Sequence, residues 1–120
     1  MKKIEQKMLN AIKKNRCWRQ GNTRVTCIKG PDIIFIDIKL NGSIIAVGKK
    51  NPVTGKTRMA VVPQATYVRH RPTATAASRL RALGFKVICT KDGSMLVNGR
   101  NMYFASNLDV ARYWDIVDTV

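Results

Sequence analysis

Residues Ile33 to Leu40 alternate too regularly for a helix. Ile34, Ile36, Ile38 and Leu40 take the even positions, with Phe35, Asp37 and Lys39 between them. A period of two puts the aliphatic set on one face of a β-strand. Asn41-Gly42 follows, a dipeptide that tolerates the positive φ angles of a type I′ hairpin turn. That turn predicts Leu40 opposite Ser43, Ile38 opposite Ile45 and Ile36 opposite Val47, aliphatic against aliphatic. A chain with this segment near its middle is organised around an antiparallel sheet.

The flanking segments extend the pattern. Lys3 to Asn15 carries Ile4, Met8, Ala11 and Ile12 at helical spacing. Thr23–Lys29 alternates, with Val25 and Cys27 on one face and Arg24 and Thr26 on the other; Gly30-Pro31-Asp32 turns the chain into the Ile33 strand. Thr57–Val62 returns as a strand with Met59 and Val61 inward and Arg58 outward. A middle helix is expected from Thr73, as N-cap, to Leu83, with Ala76, Leu80 and Leu83 as its apolar face and Gly84 just past its end. Phe85–Thr90 and Ser94–Val97 flank Asp92-Gly93 as a C-terminal hairpin, and Asn98-Gly99 marks a further turn. A last helix opens at Ser106 with Asp109 at the capping-box position and carries Val110, Trp114 and Val117. The expected fold class is α+β. It is one domain over 1–120: an antiparallel β-meander with N-terminal, middle and C-terminal helices and a C-terminal β-hairpin.

Composition matters chiefly through charge. Twenty-two Lys and Arg stand against seven Asp and Glu, for a net charge of +15. Between Asp37 and Asp92 there is no acidic residue and there are eleven basic ones. Such an imbalance is compensated by a polyanion, through phosphate contacts and counterion release. The expected partner is therefore nucleic acid, DNA favoured over RNA. An acidic host-protein surface is the alternative, and a homodimer is left open. No apolar run reaches the length of a membrane span, and no secretory leader follows Lys2-Lys3, so the expected location is the cytoplasm, without a membrane partner. Cys17, Cys27 and Cys89 read as reduced core thiols.

The expected nucleic-acid contacts are Lys39, Lys49, Lys50, Lys56, Arg58, Arg69, His70, Arg71 and Arg79. The Lys49–Lys56 loop joins two strands and is free to follow a phosphate backbone. Arg69-His70-Arg71 precedes the N-terminus of the middle helix, where exposed N–H groups favour an anion. Arg79 lies off that helix's apolar stripe and is expected to face solvent. Phe35 is expected to be core beneath a helix, its alternative role being to stack a base among cations. Trp18 and Trp114 read as structural.

Enzyme signatures are incomplete. Gly55-Lys56-Thr57 resembles the end of a P-loop, but Lys50 occupies the position of the first glycine and a strand follows where a helix is needed. One histidine and three dispersed cysteines make no zinc site and no nucleophile triad. Asp32 and Lys50 fit the PD-(D/E)xK nuclease pattern, yet its second acid falls at Gly48, and Asp37 lies on the same strand as Asp32. Without two converging carboxylates the metal site is unfinished. No catalytic residue, metal or cofactor is expected, and a nuclease-like domain, active or degenerate, is the second alternative.

Five segments together resemble a family of small tailed-bacteriophage proteins: Ile4–Ile12, Asn22-Thr23-Arg24-Val25, Leu40–Ala46, Thr73–Leu83 with its Ser78-Arg79-Leu80-Arg81-Ala82-Leu83 run, and Leu96-Val97-Asn98-Gly99. The sequence departs from that family where Val68-Arg69-His70-Arg71 replaces a Gly-Trp ahead of the middle helix. The resemblance implies a phage origin and brings no activity with it.

Overall fold

A computed structural model describes residues 2–62, 74–89, 95–101 and 115–116. Helix α1 (Lys3–Lys13) leads into a meander of β1 (Trp18–Gln20), β2 (Thr23–Lys29), β3 (Ile34–Leu40), β4 (Ser43–Lys50) and β5 (Thr57–Val61). Helix α2 (Ala74–Ala82) follows, then β6 (Val87–Cys89), β7 (Met95–Val97), β8 (Arg100–Asn101) and β9 (Asp115–Ile116). The larger sheet runs β1-β2-β3-β4-β5-β9, antiparallel at every described pairing, and β6-β7-β8 form a small second sheet. The fold is α+β.

Turn chemistry places the strands. Asn41 and Gly42 take φ of 52° and 81°, and Asn98 and Gly99 take 51° and 82°, the paired positive values that a type I′ turn demands. The expected hairpin register holds only at its tip. Leu40 faces Ser43 and Lys39 faces Ile44, but Ile38 then faces Ala46 and Ile36 faces Gly48. Ile45 is the extra residue of a β-bulge. A bulge reverses the in–out alternation beyond it, so Ile45 and Ala46 are both buried and Gly48 and Lys50 follow on the core side.

Both described helices pack on one face of the sheet. Met8, Ala11 and Ile12 of α1 and Ala76, Ala77 and Leu80 of α2 share a buried cluster with Val25, Ile34, Ile36, Ile38, Leu40, Ala46, Met59 and Val61. Both helices end in a Schellman motif. In α1, Asn15 at φ 55° supplies the left-handed residue while Asn15 and Arg16 amides donate to Ile12 and Ala11 carbonyls. In α2, Gly84 does the same, with Gly84 and Phe85 amides on Arg81 and Leu80.

Several expectations are corrected. Cys17 and Cys89 are exposed and are not core thiols, while Cys27 is half-buried and packs against the core cluster. Asp115–Ile116, expected within the last helix, instead form an edge strand opposite Met59 and Arg58; the remainder of that segment, including Trp114, lies outside the described residues. No helix among the described residues is long and apolar enough to cross a membrane.

Candidate functional site

The face of the sheet away from the helices carries three cations in register. Arg19 faces Arg24 across β1–β2, Arg24 faces Lys39 across β2–β3, and Lys39 faces Ile44 on β4. Neighbouring strands lie about 4.8 Å apart, so the three cations form one line across three strands. The line walls a shallow depression of about 530 Å³ at the β1–β2 and β3–β4 turns, where Gly21, Asn22, Thr23, Asn41 and Gly42 complete the lining. No carboxylate of the described residues borders it. The turns are joined by the Asn41 amide donating to the Asn22 carbonyl at 2.8 Å.

Two further rows cross the same face. Thr26, Asp37, Val47 and Ala60 form the middle one, half-buried at Thr26, Asp37 and Val47 and buried at Ala60. Ile28, Phe35, Lys49 and Arg58 form the third, all exposed. Phe35 is therefore not the core residue expected; it is 45% accessible and faces Ile28, itself 57% accessible. Trp18, on the opposite side of β1, packs against the core as expected.

Two of the expected contacts are structural. Lys50 lies on the core face beyond the bulge and is 4% exposed. Its Nζ donates to the Ile12 carbonyl, to the Lys13 carbonyl at 3.4 Å and to Asn15 Oδ1 at 2.9 Å. It thus serves orphan acceptors at the negative end of α1, where a cation is favoured. Burial pulls its pKa below the ordinary lysine value. Arg79 is 5% exposed and pairs with Glu5 at 2.7 Å, while its Nε donates to Thr23 Oγ1 at 3.1 Å. It joins α2 to α1 and β2 instead of facing solvent. Burial acts to raise the Glu5 pKa, but hydrogen bonds from Ser78, Arg79 and the Lys2 amide outweigh it and hold the carboxyl below the usual range.

Lys39, Lys49, Lys56 and Arg58 remain on the solvent side, Lys39 half-buried. The Lys56 loop is an ordered turn: Asn51 Oδ1 accepts from Val53 and Thr54 amides, and the Asn51 amide donates to the Lys56 carbonyl at 3.0 Å. Arg69, His70 and Arg71 lie outside the described residues. Arg24 is read from the sequence as outward but is not among the expected contacts, and Arg19 is missed altogether. Its signal was Gly21-Asn22, a two-residue turn between Gln20 and Thr23 that makes β1 a strand.

The nuclease constellation is not assembled. Asp32 is exposed in the β2–β3 turn, Asp37 lies on the open face, and Lys50 lies on the opposite, helix-covered face. Gly48 has no room for an acid, since a Cβ there would come 2.5 Å from Met59 Sδ and 3.3 Å from Ile36 Cβ. Among the described residues, no three of His, Cys, Asp and Glu gather closely enough to hold a metal.

These features define a small α+β protein in which both described helices cover one face of the sheet and a line of cations crosses the other. The chain belongs to the Kyanoviridae Gp96 protein family, a phage family whose model matches residues 1–114. No curated protein and no solved structure matches it.

Proposed function

We propose that this phage protein binds nucleic acid without catalysis, taking the phosphate backbone on the open face of its sheet. The observation that carries this reading is the line Arg19–Arg24–Lys39, in which each cation directly faces the next. Like charges directly opposed across strands destabilise a sheet, and a row of phosphates removes that penalty while releasing counterions. Lys49, Lys56 and Arg58 extend the basic surface towards β5. The separation of Asp37 from Lys50 across the sheet supports the absence of cleavage.

The test is binding of labelled DNA and RNA, single-stranded and duplex, across a salt series with and without magnesium. Wild type should show log K falling with log salt. The triple variant Arg19→Ala, Arg24→Ala, Lys39→Ala should lose affinity and flatten the slope by about two to three units, near 0.7–0.9 per lost phosphate contact. A control triple at Lys2, Lys3 and Lys7 removes equal charge from the exposed side of α1 and its N-cap. Equal losses in both variants would reduce the effect to net charge and defeat the reading. Magnesium-dependent cleavage would overturn its non-catalytic part.

A further inference from the structure

We infer that the occupant of the open face is a single strand with unpaired bases, one of them stacked on Phe35; this rests on the nucleic-acid reading and narrows it. Phe35 and Ile28 are cross-strand partners, both accessible, on the face that carries Arg24 and Lys39. One exposed apolar residue is ordinary. Two in contact register, one aromatic, within a row completed by Lys49 and Arg58, make a small apolar platform bordered by cations. The edge of the Phe35 ring lies beside Gly30 of the β2–β3 turn.

The chemistry of that platform selects the ligand. A duplex presents phosphates and groove edges, while its base faces are occupied by their own stacking. An aromatic ring gains from a nucleic acid chiefly when a base is unpaired and offers its π-face, and such stacking tolerates any sequence. Phe35 and Lys39 are four residues apart on β3, about 13 Å at the rise of a strand. A polynucleotide lying along β3 therefore meets a phosphate line at Arg24–Lys39 and a stacking surface at Ile28–Phe35. Asp37, in the row between, repels phosphate, and its carboxylate suits the exocyclic amino groups of bases. An acidic protein surface would use the cations and leave the ring without a partner.

The experiment uses the full chain and three probes of about 16 nucleotides, within the range covered by one sheet-type binding site. These are a labelled single strand of mixed sequence, the same strand as a duplex, and an abasic strand with the same phosphates; a single-stranded RNA arm separates RNA from DNA. Wild type should bind the single strand tighter than the other two. Phe35→Ala and Phe35→Leu should each weaken single-strand binding about tenfold, the loss of one base–aromatic stack. They should leave duplex and abasic binding unchanged, and Phe35→Tyr should retain the preference. Phe35→Leu keeps the apolar bulk, so a loss there reports the ring and not the fold. Equal affinity for all three probes, unaffected by either substitution, overturns the inference and leaves the nucleic-acid reading standing. Absence of binding to every probe defeats both. A wild-type dimer in sedimentation that Phe35→Ala dissolves would instead make a second copy the occupant of this face.

Discussion

Lys50 and Lys56 differ only in what surrounds them, and their roles are opposite. Lys50 is enclosed and donates to three acceptors at the end of α1, while Lys56 is exposed on a turn. Lys50→Ala should cost about 2–3 kcal/mol in urea unfolding, because buried acceptors lose a charged donor. Lys56→Ala should stay within about 0.5 kcal/mol; equal effects would mean that Lys50 is not the α1 cap. Arg79 is a sharper case. Arg79→Ala leaves the Glu5 carboxylate buried and unpaired and should cost about 3–5 kcal/mol. The same pair sets an acid limb. Glu5 is held below its ordinary value of 4.5, so its contribution is full above that pH and fades as pH falls through the depressed native value. Thermal melts between pH 3 and 7 should show this limb in wild type and a weaker one in Glu5→Gln. Identical pH profiles would remove Glu5 from the account.

The β3–β4 hairpin shows how an element answers to its neighbours. Asn41-Gly42 and the alternating isoleucines specified a hairpin correctly, but the bulge at Ile45 changed which side of β4 meets the helices. Gly48 sits at the tightest point of that arrangement, between Met59 and Ile36. Gly48→Ala should destabilise by about 1–3 kcal/mol through overpacking, with Met59→Ala in the same chain recovering part of the space but not the lost apolar contacts. A neutral Gly48→Ala would show that the sheet yields there. The Arg19–Arg24–Lys39 line predicts the opposite sign. Arg24→Thr replaces a repelled cation by a good strand former, so it should raise the melting temperature by a few degrees while weakening nucleic-acid binding. Lower stability with unchanged binding would argue that Arg24 serves the fold.

A net charge of +15 on 120 residues acts on the molecule as a whole. Self-repulsion disfavours the compact state, and screening shortens from about 10 Å at 0.1 M salt to about 3 Å at 1 M. The melting temperature should therefore rise by several degrees over that range while nucleic-acid affinity falls. A melting temperature indifferent to salt would show that the cations are already neutralised within the fold.

Alternation, turn dipeptides and helical spacing reported correctly on the meander, on α1 and α2 and on the α+β class, because these depend on neighbours a few residues away. The outward orientation of Arg58 and the inward one of Met59 were legible for the same reason. Three things were not. The fate of Lys50 turned on an inserted residue at Ile45 together with the end of a helix 38 positions earlier. Arg79 reads as a surface cation until α1 brings Glu5 against it across 74 positions. Phe35 reads as core in any strand flanked by helices, and its exposure follows from α1 and α2 both choosing the other face. Local patterns set which residues point the same way along a strand; packing alone assigns the faces to helices or to solvent, because burying a cation or baring a ring is balanced by partners that lie far along the chain.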